Sequence, residues 1–289
     1  MGWSCSRIWC AGSVNCNAIS FCSKGAASFS GEALSALEGI QLKATEFEFR
    51  NRFWFIAAVY AFGFWCYIFD PVNAGQGLLE LVLGHRLSSA ADRYLLQAIF
   101  GVGAAAAVSA ALLRTWAAAY LQSEVVHDSR LHAERLVADG PYRHVRNPLY
   151  LGGILMAIGF GLLASRVGSL VIVIGLTIFY YRLIRREEIA LLETQRESYR
   201  AYLAEVPCVI PSLTPRLPSS GKEPRWGQAF LGELFLWLFA VSITVFAITL
   251  RATVLYVAIG AAVVARAATL TMIQRNKRRE ESLTAPPAP

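Results

Sequence analysis

Charge is scarce in this chain. Asp, Glu, Lys and Arg make up 16% of the 289 residues, against 55% hydrophobic residues, whereas a soluble domain carries about 25% charged residues. The shortfall is gathered in long uncharged runs, so a bilayer is the expected solvent for much of the chain. Metal chemistry is also poorly provided for. Cys5, Cys10, Cys16, Cys22, Cys66 and Cys208 form no Cys-x-x-Cys pair, and His85 and His132 have no partner at ligand spacing. No metal site is expected. Four of the cysteines precede Ser23 in a stretch without helical period, where a disulfide knot has no support. An early apolar core for a cleavable signal is missing too, because Arg7 and the polar residues after it interrupt it. Met1-Gly2-Trp3-Ser4-Cys5-Ser6 fits the acylation pattern at Gly2 only formally, since so short a pattern is common by chance.

The charge that is present is mostly positive, +7 in all with a pI near 9.2. Arg and Lys sit just outside apolar runs, the pattern of a membrane protein held by cytoplasmic positive charge, so nucleic acid is not an expected partner.

Residues 1–45 are rich in Ser, Gly, Ala and Cys and read as a poorly ordered extension. A helix is expected to begin near Thr45, with Glu48 completing a capping box. The region 46–113 reads as the N-terminal transmembrane part. Its first span runs from Phe53 to Phe69 and is stopped by Asp70-Pro71. Gly77 to Gly84 is apolar but too short to cross, and is expected to lie at the surface or re-enter. The second span runs from Tyr94 to Leu113, where Gly101, Gly103 and Ala104 to Ala107 allow close helix approach. Gly101-x-Gly103-x-x-Ala106 matches a dinucleotide fingerprint only formally, because no strand precedes it and the run is apolar.

The region 114–213 reads as the core of the chain. A polar, Arg-rich loop over 114–149 leads into two apolar runs, Tyr150 to Ser165 and Val167 to Ile184, split by Arg166 and read as a hairpin. Residues 185–206 are charged with helical spacing and should lie on the membrane surface or cap the bundle. The region 214–275 reads as a linker and two C-terminal spans, Phe230 to Leu250 and Thr253 to Ile273, preceded by an extended, Pro-rich stretch from Pro207 to Trp226. Residues 276–289 form a basic, then Pro-rich, disordered tail. The expected fold is an all-α transmembrane helical bundle of about six spans. The basic groups around Arg50, Arg143, Arg186 and Lys277 then fall on one side, which the charge rule makes cytoplasmic.

Two polar segments share that side. In the first, Gly140-Pro141 forces a turn and Asn147-Pro148 starts the next span, with Asn147 a plausible cap. Tyr142, Arg143, His144 and Arg146 lie between them, beside a helix N-terminus able to receive an anion. Taken alone, the segment reads more simply as a headgroup-level anchor. In the second, Glu187 and Glu188 follow Arg185 and Arg186 at the end of an apolar helix. The plain reading is a solvated helix end, yet acids that turn inward at a lipid boundary mark function. His85, His132, Trp226, Trp237 and the Ala157-x-x-x-Gly161 spacing are read as packing or interface features.

Gly140-Pro141-Tyr142-Arg143-x-x-Arg146-x-Pro148-x-Tyr150, an apolar hairpin, Arg185-x-Glu187-Glu188, Tyr199-x-x-Tyr202 and Ile210-Pro211 together resemble the isoprenylcysteine carboxyl methyltransferase family, whose wider group includes the phospholipid N-methyltransferases. The resemblance covers residues 110–213. It implies an enzyme that binds S-adenosylmethionine under polar segments closed over the helix ends, on the cytoplasmic side, and takes a lipid-like acceptor from the bilayer. It further implies cofactor contacts at His127, Glu134, Arg135, Leu136, Val137, Tyr142, Asn147, Pro148, Leu149, Tyr150, Glu187 and Glu188. Carboxylates suit the ammonium and ribose hydroxyls, helix-start donors suit the α-carboxylate, and Tyr142, Tyr150 and Leu136 suit adenine. Glu188 is also expected to act at the reacting centre, with Arg182 or Arg185 holding an acceptor carboxylate.

The chain departs from the family pattern at Asn147, where the family has His, at Gln195-Arg196, where it has Phe-Gly, and at Cys208-Val209, where a basic residue is usual. An isoprenylcysteine-type carboxylate is the first acceptor expected and a phospholipid amine the second. A steroid-type NADPH reductase and an inactive lipid-binding membrane protein remain as other classes. The sequence is silent on oligomeric state.

Overall fold

The computed structural model describes residues 43–121 and 138–257, and beyond them residues 260, 261, 264, 268 and 271. The described chain is helical, and among the described residues the β-type pairing is one isolated bridge, Asn73 to Ser165. Helix α1, Glu46–Arg50, opens with the expected capping box. The Thr45 hydroxyl accepts from the Glu48 amide at 3.2 Å, and the Glu48 carboxylate accepts from the Thr45 amide at 2.7 Å. Helix α2, Arg52–Trp65, tightens into a 3₁₀ turn, Cys66–Ile68, before Asp70. Helix α3, Ala74–Leu83, is capped by the Asn73 side chain and closed by Gly84 in a left-handed conformation.

Helix α4, Ala90–Tyr120, is the central element and packs against α5, Pro148–Leu163, and α8, Leu234–Thr249. In lipid the hydrophobic effect does not drive helices together, and close van der Waals packing has to. The alanine run supplies it: Ala107, Ala110 and Ala111 are fully buried, with Phe100, Phe160, Leu236 and Ile243 around them. A second cluster joins α5 and α2 to α6, Arg166–Glu205, through Ala157, Ala164, Ile172, Leu176 and Leu183. Ser165 caps α6, its hydroxyl accepting from the Gly168 amide at 3.0 Å, so the expected hairpin of α5 and α6 forms.

Four expectations change. First, among the described residues two helices, α4 and α6, have the length and composition of a membrane span, and a bent pair would make a third. The count of about six follows from apolar runs, whereas helix length decides crossing. The 16 residues of α5 rise only about 24 Å at 1.5 Å each, short of the roughly 30 Å hydrocarbon core. The final run, Thr253 to Ile273, lies partly outside the described residues. Second, residues 114–120, expected in a loop, complete helix α4. Arg114 and Thr115 stay helical because Glu233 and Trp237 on the C-terminal helices satisfy them. Third, the second arm of the hairpin does not end at Ile184 but stays helical to a kink at Arg196 (φ 40, ψ −107), which divides the 40 residues of α6 into two helical stretches. Fourth, the run from Phe230 to Leu250 is a pair, α7 (Trp226–Gly232) and α8, bent by 64° at Glu233.

The two ends of the bundle are distinct. One holds Asp70, paired with Arg166 at 2.8 Å, together with the Asn73–Ser165 bridge. The other holds Ala44, whose amide donates to Arg182, the 140–147 segment, the second half of α6 and the chain after Val206. Both polar segments singled out in the sequence therefore meet at one end.

Candidate functional site

The site is built around the start of α5. Gly140 has φ +58, and a Cβ there would stand 2.4 Å from the Tyr120 ring, so both the turn and the close approach require glycine. The turn leads into a 3₁₀ segment, Gly140–Arg143, that buries Tyr142. Its backbone carbonyl accepts the Tyr202 hydroxyl at 2.8 Å. The Tyr142 hydroxyl itself is buried and has no hydrogen-bond partner among the described residues. Burial, then the neighbouring Tyr202 and Glu187, push its ionisation well above the ordinary phenol range. It is therefore a neutral donor that lacks an acceptor, and a buried donor left in that condition costs about 1–3 kcal/mol.

Arg146 and Glu188 form the joint between the two polar segments. Arg146 Nε donates to Glu188 Oε1 at 3.1 Å, and both side chains are nearly buried. Its Nη1 donates to the carbonyls of Leu203 and Val206, each at 2.9 Å. The Asn147 amide nitrogen lies 3.3 Å from Glu188 Oε1 and 3.2 Å from the Cys208 carbonyl. This corrects the expected cap. With φ −119 and ψ 57, Asn147 makes no side-chain cap, and its amide turns to Glu188 instead. Asn147 therefore leaves the first-turn amides of α5 uncapped. Glu187 faces the other way: Tyr150 Oη donates to its Oε1 at 2.6 Å, beside the Tyr180 ring.

The chain after Val206 straps this joint. Arg146 and Asn147 donate their backbone N–H groups to Pro207 and Cys208, at 2.9 and 3.3 Å. His144 and Ser212 exchange contacts through backbone and ring, and Arg143 Nε donates to the Leu217 carbonyl at 2.6 Å. Asp139 anchors the far end. It accepts from the Ser219 hydroxyl at 3.0 Å, the Ser220 amide at 2.9 Å, the Ser220 hydroxyl and the Lys222 amide. Burial raises the ionisation of Asp139, but the hydrogen bonds outweigh it and hold the carboxyl below its ordinary range.

The sequence-derived candidates separate accordingly. Tyr142, Asn147, Pro148, Leu149, Tyr150, Glu187 and Glu188 come together at the start of α5. His127, Glu134, Arg135, Leu136 and Val137 lie outside the described residues. Arg182 sits further back on α6 and is held bidentately by Glu48, at 2.7 and 2.8 Å. Arg185 is half-buried and makes no ion pair among the described residues. Two participants were not singled out: Arg114 and Glu233, joined by a bidentate pair beside Tyr142. A signal for them existed, because each is the lone charge in a long apolar run.

Residues 98–196 match the family model of phospholipid methyltransferases. Protein-S-isoprenylcysteine O-methyltransferase of Schizosaccharomyces pombe is 36% identical over 90 residues, which are 31% of this chain and 38% of that protein. The matched part thus spans well under half of that relative. No solved structure matches the chain. The resemblance to the isoprenylcysteine carboxyl methyltransferase family is borne out over this central segment, which contains the hairpin and the Glu187-Glu188 pair.

Proposed function

We propose that the chain is a membrane methyltransferase that transfers a methyl group from S-adenosylmethionine to a lipid-like acceptor at the strapped end of the bundle. That end is taken as cytoplasmic, by the excess of Arg and Lys on it. The observation that carries the reading is the buried hydroxyl of Tyr142, unpartnered among the described residues, near a helix start that Asn147 does not cap. A ligand with carboxylate and hydroxyl acceptors satisfies both.

The residues fit that cofactor. Glu187 offers a carboxylate to an ammonium or ribose hydroxyl, while Glu188 is already engaged by Arg146 and Asn147. The α5 amides and the Tyr142 hydroxyl offer donors to a carboxylate. Tyr150 and Tyr180 offer an aromatic wall. When bound, S-adenosylmethionine supplies a methyl group already activated by its sulfonium. The chain's part is alignment and exclusion of water, by the strap over the joint. A carboxylate acceptor attacks through its own oxygen, so no residue has to move a proton, whereas an amine must first be neutral. Arg185 is the better holder of an acceptor carboxylate, because Glu48 occupies Arg182. An isoprenylcysteine-type carboxylate is the first acceptor. A phospholipid amine is the second, favoured by the family whose model matches.

A labelled methyl-transfer assay on a lipid extract, with the product identified by mass, separates the two acceptors. Calorimetry on the purified chain with S-adenosylmethionine and Tyr142→Phe tests the site. The Phe variant is expected to bind several-fold more weakly yet unfold at an equal or higher temperature without ligand, because the hydroxyl is unsatisfied there. Binding of NADPH in place of S-adenosylmethionine, or of neither, overturns the reading.

A further inference from the structure

Glu233 lies outside the matched segment, at the bend between α7 and α8. It is fully buried, and both of its oxygens are taken by Arg114, from Nε and Nη2 at 3.0 Å each. The remaining nitrogen, Nη1, donates to the Leu149 carbonyl at 3.0 Å. Leu149 belongs to the first turn of α5, next to Tyr150 and its hydrogen bond to Glu187. The path of Arg114 is shaped for this contact. A Cβ on Gly152 would stand 2.4 Å from Arg114 Cγ, so α5 carries no side chain where the arginine crosses it.

We propose that Glu233 is a positioning residue for the site. Through Arg114 it fixes the direction of the first turn of α5, so the C-terminal helix pair is a working part of the ligand site. The inference rests on the reading of that site as an S-adenosylmethionine pocket. A buried ion pair is a poor route to stability, since apolar residues of the same size do as well or better. A bidentate fork does fix orientation. It leaves one guanidinium nitrogen for a third group, and here that group is a backbone atom at the site.

The test uses the full chain in detergent, titrated with S-adenosylmethionine in a calorimeter and melted in parallel. Glu233→Gln keeps the volume but breaks the fork, and is expected to weaken binding about tenfold or more, as small misplacements in aligned sites do. Trp237→Phe removes the bond from Trp237 Nε1 to the Thr115 hydroxyl, 3.0 Å long, in the same helix pair. It is expected to lower the melting temperature and leave affinity unchanged. Should Glu233→Gln fail to fold, the double variant Arg114→Met with Glu233→Met leaves no unpaired charge and carries the test: a folded chain with weakened binding is expected. Wild-type affinity in either Glu233 variant overturns the positioning role alone. Failure of the wild-type chain to bind S-adenosylmethionine overturns the functional reading, and this inference with it.

Discussion

Replacing Glu188 by Ala takes from Arg146 its buried carboxylate partner. The guanidinium is nearly buried, and its charge is balanced by Glu188 at 3.1 Å. Without the carboxylate, Nη1 keeps the Leu203 and Val206 carbonyls, which accept hydrogen bonds but carry no full negative charge. Breaking a buried pair by removing one member costs about 3–5 kcal/mol, mostly through the charge left behind. The carbonyls at Nη1 place this case near the lower end. For a chain of this size each kcal/mol moves the melting temperature by about 2–4 °C, so Glu188→Ala should lower it by roughly 10 °C. The double variant Arg146→Met with Glu188→Met removes both charges and should recover most of that loss, with a coupling well above 1 kcal/mol, as expected for residues in direct contact. The assay is thermal unfolding in detergent, followed by tryptophan fluorescence. A shift of only a degree or two in Glu188→Ala, or a double variant no better than the single, would refute the account of Glu188 as the joint. The consequence for function is direct. Loss of ligand binding in Glu188→Ala does not by itself identify a ligand contact, whereas loss in Glu187→Gln, which strands no charge, does.

Two further outcomes follow from the geometry. The depressed ionisation of Asp139 means that its strap contacts stabilise the fold fully above the unfolded Asp value of about 3.9 and are lost as pH falls through the lower folded value; melting temperatures across that acid range should show this component in the wild type and lack it in Asp139→Asn, and identical profiles would remove Asp139 as the anchor. Arg196, at φ 40 and ψ −107, carries strain of about 1–3 kcal/mol, so Arg196→Gly should gain about 1 kcal/mol net after the entropy of glycine, whereas Gln195→Gly in the flanking helix should lose stability; a loss in both by thermal melting would refute the strain.

Local chemistry was legible in the sequence wherever partners are near in the chain. Thr45 and Glu48 form the box that their spacing announces, and Asp70-Pro71 ends the first apolar helix. The convergence of the Arg146 and Glu188 stretches was legible too, because basic residues sort the loops to one side. Partner choice across helices was not. Nothing local tells Arg114 to seek Glu233, 119 residues away, and without that partner the helix reads as ending before its arginine. Nothing local tells Glu48 to occupy Arg182, so Arg182 reads as free for a substrate. The length of α6 was hidden for a different reason. Its charged half reads as a separate surface helix from residue 185, whereas the apolar helix runs on through Glu187 and Glu188 to the kink at Arg196, and Tyr199 and Tyr202 beyond it pack beneath the strap.

The departures from the family pattern bear on whether a site of this kind still works, and their placement narrows what they change. At Asn147 the side chain donates N–H bonds to the Glu188 carboxylate and the Cys208 carbonyl. A neutral imidazole offers one such donor, so Asn keeps the connection and removes only the titration. At Cys208 the backbone carbonyl accepts from both Asn147 N–H groups, and the thiol adds contacts of its own, accepting from the Asn147 amide at 3.7 Å and donating to Glu188 Oε1 at 3.9 Å. At Arg196 the backbone holds the positive φ that a glycine adopts freely, and the substitution adds strain at an exposed position rather than moving the paired tyrosines. All three changes thus preserve the joint between the two polar segments. The groups proposed to meet the ligand, the Tyr142 hydroxyl, the Glu187 carboxylate and the first turn of α5, lie outside all three. A chain drifting from inactivity has no reason to keep a buried hydroxyl unsatisfied, since Phe at position 142 would remove its cost. That retained cost favours a bound ligand over a relic scaffold.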